Sequence, residues 1–95
     1  MALKLNSKVV ISPDVLFQEV NREMVLLDLR SESYFGLDET GTRIWQLLQS
    51  GLTLPDVIEQ MLEEFDVQRT TLESDLNELM DRLLDAGLVR VEPAP

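Results

Sequence analysis

The closest this chain comes to a catalytic pattern is in its carboxylates. Glu63, Glu64 and Asp66 fall within four residues, and Asp81 and Asp85 are one helical turn apart. Such pairs can serve as acid and base or share a calcium ion. Their surroundings support neither use: no EF-hand spacing and no glycine-bearing acidic loop accompanies them, and glutamates at helical spacing ordinarily form a solvated face. The chain has neither histidine nor cysteine. The commonest general base, the thiolate nucleophile and the usual zinc ligands are therefore missing. Lys4 and Lys8 lie in a loose N-terminal stretch, remote from any base. No enzymatic activity, no cofactor and no metal is expected.

What remains is recognition through the main chain, and the stretch suited to it is Met24 to Leu37. It reads as a strand, a polar turn and a second, short strand. Met24 to Leu29 is apolar at five of six positions, which predicts an inner strand covered on both faces. Ser33 to Leu37 is short, aromatic and carries Gly36. Glycine weakens a strand unless another backbone must approach, and a short strand after a buried one reads as a sheet edge. Neighbours in a strand point to opposite faces. Phe35 and Leu37 are thus expected in the core, with Tyr34 and Gly36 facing the other way. Tyr34 is either a half-exposed tyrosine with its hydroxyl in water or a contact residue, and its company with Gly36 on a free edge favours contact.

The rest of the chain supplies the frame. Val9 to Ile11 reads as a short strand stopped by Pro13, which cannot donate to a ladder. Val15 to Val20 reads as a strand joined to Met24 through Asn21 to Glu23, giving a three-stranded meander. Asp38 is a good N-cap for a first helix with Ile44, Trp45, Leu47 and Leu48 on its apolar face, ended by Gly51. Trp45 is read as a core anchor. Thr53, with Pro55 in the first turn, starts a second helix that buries Val57, Ile58, Met61, Leu62 and Phe65. Thr70 and Glu73 have capping-box spacing for a third, on which Leu72, Leu76, Leu79 and Leu83 form one stripe before Gly87 closes it. Leu88 to Val91 is left as a final short strand or an extended tail. The expected fold is α+β and winged-helix-like, a three-stranded antiparallel sheet followed by three helices. Residues 1–8 are expected to be a flexible N-terminus, 9–91 the domain and 92–95 a disordered tail.

Composition limits the partners. The 95 residues make one domain, since a domain takes about 100–200. Eighteen acidic against eight basic residues give a net charge of −10, the wrong sign for nucleic acid or anionic lipid. No run approaches the ~18 apolar residues of a membrane span, and no secretory signal is present, so a cytoplasmic location is expected.

Three segments in order carry a resemblance: Tyr-Phe-Gly-Leu-Asp at 34–38, Gly-Thr-Arg-Ile-Trp-Gln-Leu-Leu at 41–48 and Asp-Leu-Asn-Glu-Leu-Met-Asp-Arg-Leu at 75–83. Over Ser12 to Val91 the chain resembles the PqqD-like family, the peptide chaperones also called RiPP recognition elements. The resemblance implies a non-catalytic protein that binds the leader segment of a ribosomally made precursor peptide and presents it to a leader peptidase or peptide-modifying enzyme. It implies that the leader adds as a strand at the sheet edge, in a groove against the third helix. Carried onto this chain, the edge is Ser33, Tyr34, Phe35, Gly36 and Leu37, and the helical wall is drawn from Asp75, Leu76, Leu79, Met80, Arg82 and Leu83. Leu79 and Leu83 are expected to divide between core and groove, with Asp75 and Arg82 flanking it; for Leu76 the structural role is the favoured one. The hairpin ending in Tyr-Phe-Gly-Leu-Asp looks more similar to the discrete proteins of lasso-peptide clusters than to the chaperone of pyrroloquinoline quinone synthesis, which serves a radical SAM enzyme.

Two other readings share the architecture. A winged-helix transcriptional regulator would place its third helix against DNA, yet that helix carries Glu73, Asp75, Glu78, Asp81 and Asp85 against Arg69 and Arg82. A regulatory subunit binding through its helices would leave Tyr34 and Gly36 free to vary. The chain is expected to be a monomer, or a homodimer paired through the same edge.

Overall fold

The computed structural model describes residues 8–92. Eight elements follow one another: β1 (Lys8–Ile11), β2 (Val15–Val20), β3 (Glu23–Asp28), β4 (Ser33–Leu37), α1 (Glu39–Gln49), α2 (Leu54–Glu64), α3 (Arg69–Asp85) and β5 (Val89–Glu92). The meander is present as an antiparallel sheet in the order β2-β3-β4. Three helices follow it, so the α+β, winged-helix-like arrangement holds. Of the two alternatives left open for Leu88 to Val91, the strand holds, over Val89–Glu92 with Leu88 just before it. What the sequence did not anticipate is its pairing: β5 runs antiparallel to β1 in a separate two-stranded ribbon. Lys8 and Glu92, expected outside the domain, are partners in that ribbon. The remaining expectations for the two termini lie outside the described residues.

The turn between β2 and β3 is tighter than Asn21 to Glu23. Val20 faces Glu23 directly, and Asn21 and Arg22 both have positive φ, 52° and 66°. That is the two-residue hairpin turn whose twist matches the strands. Asparagine tolerates this conformation, whereas arginine has a Cβ against the following carbonyl. Arg22→Gly is therefore expected to stabilise the fold by about 0.5–1 kcal/mol after allowing for the looser unfolded chain. A melting curve should rise by about 2–8 °C.

The helices begin and end where local chemistry directs. Asp38 Oδ1 accepts from Gly41 N–H at 2.8 Å, and Thr53 Oγ1 accepts from Asp56 N–H at 3.5 Å. The third N-cap differs from the expected Thr70. Leu72 N–H donates to Gln68 O, which draws α3 back to Arg69 with no side-chain cap and leaves Thr70 inside the first turn. Arg69 steadies that turn through ion pairs with Glu59 of α2 and Glu73 of α3. Gly87 closes α3 at φ +74°, and the next residue, Leu88, donates its N–H to Leu83 O. This is a left-handed C-terminal cap with an apolar residue after it.

One core joins both sheets to the helices. Trp45 is fully buried at its centre, with the Phe17 ring edge-on at 5.9 Å. Met24, Leu26 and Leu37 reach it from the sheet, Ile44 and Leu48 from α1, Val57, Ile58 and Met61 from α2, and Leu72, Leu76, Met80 and Leu83 from α3. The expectation that β3 is covered on both faces is corrected here. Met24, Leu26 and Asp28 are buried, but Val25 is 41% exposed. All three helices follow the meander and pack on one side of it, so nothing among the described residues covers the other.

An ion pair locks α1 to α2. Arg43 donates to both Glu64 carboxylate oxygens at 2.7 Å. With help from Gln60, it holds the Glu64 carboxyl down at about 2, from 4.5. The folded value lies below the unfolded one. The resulting stability is thus fully present above pH 4.5 and lost as pH falls toward 2. At side-chain exposures of 35% and 28%, it is worth about 1–2 kcal/mol. Urea midpoints recorded from pH 7 to pH 2 should fall less steeply below pH 4.5 for Arg43→Met than for the parent.

Candidate functional site

The hydrogen-bonding groups along the outer edge of β4 follow from register. Bonded and non-bonded pairs alternate in an antiparallel ladder. The two-residue turn makes Val20 and Glu23 a bonded pair, and Leu29 N–H donates to Asp14 O at 2.9 Å. Glu23, Val25 and Leu27 therefore bond toward β2, and Met24, Leu26 and Asp28 toward β4. Their partners on β4 are Leu37, Phe35 and Ser33. Tyr34 and Gly36 keep an N–H and a C=O each, directed away from the sheet. Both residues are exposed, Tyr34 by 75%. A Cβ built on Gly36 would meet no atom within 4 Å, so the fold itself does not require glycine there.

Beside this edge lies a groove of about 350 Å³ between β4, the start of α1 and the exposed side of α3. Gly36, Leu37, Asp38, Thr40, Gly41 and Ile44 line one wall, and Asp75, Glu78, Leu79 and Arg82 the other. The Arg82 guanidinium lies over the Phe35 ring, 4.8 Å from its centroid. This cation–π contact ties α3 to the edge strand. Asp38, Asp75 and Glu78 outnumber Arg82 along the lining, so the groove favours neutral or cationic occupants.

Outside the groove, a second contact ties the hairpin to α3. Arg30, in the β3–β4 turn, donates through Nη2 to Gly87 O at 2.8 Å and through its N–H to Asp28 Oδ1 at 3.0 Å. The end of the hairpin is thereby clasped to the end of α3. Arg30 N–H, the Ser31 hydroxyl and the Arg30 guanidinium hold the Asp28 carboxyl below the usual range against the opposing effect of burial. A Cβ at Gly87 would come within 2.8 Å of Arg30 Nη2, a second reason, beyond its positive φ, for glycine at that position.

The residues singled out in the sequence separate into two groups. Gly36, Leu37, Asp75, Leu79 and Arg82 line the groove, Phe35 is half-buried beneath Arg82, and Ser33 and Tyr34 are exposed along β4. Leu76, Met80 and Leu83 belong to the core, with Met80 and Leu83 at 0% exposure. They are not wall residues. Asp38, Thr40, Gly41, Ile44 and Glu78 were missed; Glu78 stands three residues after Asp75 and four before Arg82, a spacing that puts all three on one helix face. The second free edge of the sheet was missed as well. By the same alternation, Phe17 and Glu19 of β2 direct their main-chain groups outward. Among the described residues no cluster of three or more carboxylates could hold a metal ion, and no helix is long and apolar enough to cross a membrane.

Fold and site together define a class: small winged-helix-like domains whose sheet edge can take up one more strand beside a helix-lined groove. The chain belongs to the PqqD family, whose profile, described as coenzyme PQQ synthesis protein D (PqqD), matches residues 23–89. Among solved structures it is similar to TbiB1 in complex with the TbiA(beta) leader peptide, at 36% identity and TM-score 0.81 over 85% of this chain and 94% of that one. It is also similar to lasso peptide synthetase B1 complexed with the leader peptide, at 31% identity and TM-score 0.79 over 87% and 98%. Curated protein sequences yield no match.

Proposed function

We propose that this chain is a non-catalytic, cytoplasmic adaptor that binds the leader segment of a ribosomally made precursor peptide and presents it to a processing enzyme. The lasso-peptide branch, with a leader peptidase as that enzyme, is favoured over the quinone branch by the similarity to lasso peptide synthetase B1. The observation that carries the reading is the unpaired main chain of Tyr34 and Gly36 beside a groove. An open edge offers donors and acceptors in fixed register to a peptide of any sequence, and pockets then select side chains.

Magnitudes show why both parts are needed. Two donors and two acceptors give at most four main-chain bonds, worth about 2–6 kcal/mol in all at ~0.5–1.5 each. Micromolar binding takes about 8 kcal/mol, after the cost of ordering the leader. The difference has to come from buried side chains, at about 1.5–3 kcal/mol for a large apolar one. Leu37, Ile44 and Leu79 supply the apolar part of the lining for such an anchor.

Amide hydrogen exchange with and without a lasso-type leader peptide tests this. Tyr34 and Gly36 should exchange fast in the free protein and slow by more than about tenfold on binding. Phe35 and Leu37, already bonded to β3, should be slow in both states. Slowing confined to the outer faces of α1 and α2 would instead indicate a regulatory subunit.

A further inference from the structure

The face of the β2-β3-β4 sheet turned away from the helices is apolar. Leu16, Leu27 and Tyr34 stand in one cross-strand row, and Gln18, Val25 and Gly36 in the next. Leu16 is 56% exposed and Val25 41%, and Val20 and Leu29 prolong the apolar surface toward the two ends of the sheet at 50% and 49%. A shallow depression runs over Leu16, Val25, Leu27 and Tyr34. An antiparallel sheet with one solvated face normally carries polar residues there. A contiguous apolar surface with a polar rim is instead the signature of an interface.

Both rows end on the residues whose main chain is free at the β4 edge. A peptide strand added there would lengthen each row by one residue. Its alternate side chains would stand on this outer face beside Tyr34 and Gly36, and the others would turn toward the groove. We propose that the outer sheet face is the docking surface for the enzyme that processes the bound peptide, and that this enzyme reads the face and the outward peptide side chains as one continuous surface. The proposal rests on the leader-binding reading and adds to it the place and chemistry of the second partner.

Charge selects that occupant over a second copy of this chain. Glu23 and Glu32 mark the two ends of the face, where the neighbouring Arg22 and Arg30 are paired with Glu39, Asp14 and Asp28 of this chain, and the whole chain carries −10. A second copy would bring the same carboxylates and another −10 against them. A partner with an apolar centre and a neutral or basic rim fits. Since it touches peptide and adaptor together, each strengthens the binding of the other by the same factor.

The experiment uses Leu16→Glu and Val25→Glu in the full chain, with Leu16→Ser as the milder variant should either Glu variant lose its far-ultraviolet circular dichroism. Leader affinity is read from the anisotropy of a labelled lasso-type leader peptide, and cleavage from the turnover of the matching precursor by its leader peptidase. The expected result is leader affinity within about twofold of the parent and cleavage slowed at least tenfold. Unchanged cleavage at unchanged leader affinity overturns the docking assignment alone. A parent that sediments as a dimer, with variants that sediment as monomers, overturns it in favour of a second copy. A parent that binds no leader removes the adaptor reading and this proposal with it.

Discussion

Gly36→Pro is expected to weaken leader binding by more than about 100-fold, or roughly 2.7 kcal/mol, while leaving the domain folded. Proline removes the Gly36 N–H, one of the two donors on the open edge, and puts its ring where the incoming strand must lie. Within the fold the cost is small. That N–H points away from β3, and proline is tolerated on an edge strand when the missing donor faces solvent. Phe35→Pro provides the contrast. Phe35 faces Leu26 in the bonded register, so proline there deletes a ladder bond inside the sheet together with the half-buried phenyl ring, and should cost about 3 kcal/mol or more of stability. Thermal melts and leader titrations of the two variants should give opposite patterns: Gly36→Pro folded and non-binding, Phe35→Pro strongly destabilised. If Gly36→Pro bound leader as the parent does, strand addition at β4 would be ruled out.

The contrast at positions 35 and 36 was half visible in the sequence. Alternation put Phe35 and Leu37 inward, with Tyr34 and Gly36 on the other face, and the structure agrees. Which residues keep free main-chain groups depends on ladder parity, and parity is set by the two-residue turn at Asn21 and Arg22, one residue shorter than the sequence suggested. The run from Met24 to Leu29 shows a different limit. Five apolar residues in six imply that both faces want cover, but composition cannot say whether the cover is this chain's helices or another protein. Here one face has the helices and the other is open. The ribbon of β1 and β5 was hidden because it joins two four-residue segments from opposite ends of the chain, and no local signal encodes such a pairing.

The acidic helix was legible in outline only. At about 100° per residue, Leu72, Leu76, Leu79 and Leu83 fall within about 60° of one another and look like one stripe. Leu79 lies at the border of that arc nearest Asp75, Arg82 and Glu78, whereas Leu76 and Leu83 lie toward Met80. The structure follows that border: Leu79, at the margin of the core, also lines the groove with the three charged residues, and Leu76, Met80 and Leu83 lie wholly in the core. Helical geometry held this division all along. The expected division of Leu79 and Leu83 between groove and core and the structural role favoured for Leu76 match these positions; Met80, drawn into the wall by the resemblance, is the residue whose direction was not anticipated.

Leu83→Ala is accordingly expected to cost about 2–5 kcal/mol of stability, a large share of the roughly 5–15 kcal/mol that holds a small domain together. Its melting temperature should fall by about 10–30 °C. The molecules that remain folded should bind leader with unchanged affinity, because the Leu83 side chain is wholly enclosed by the core. Leu79 is 8% exposed and borders the groove, so Leu79→Ala removes contacts on both sides. It should cost less stability, about 2–3 kcal/mol, toward the low end for a buried leucine because one side borders the groove, and weaken leader binding about tenfold or more. Denaturant midpoints and leader titrations at a temperature where every variant is folded separate the two effects. Equal binding losses at Leu79 and Leu83 would mean that leader affinity follows global stability, with no apolar anchor seated against α3. A loss at Leu79 alone would place the anchor on that helix, one turn from the Arg82 contact that fastens it to Phe35.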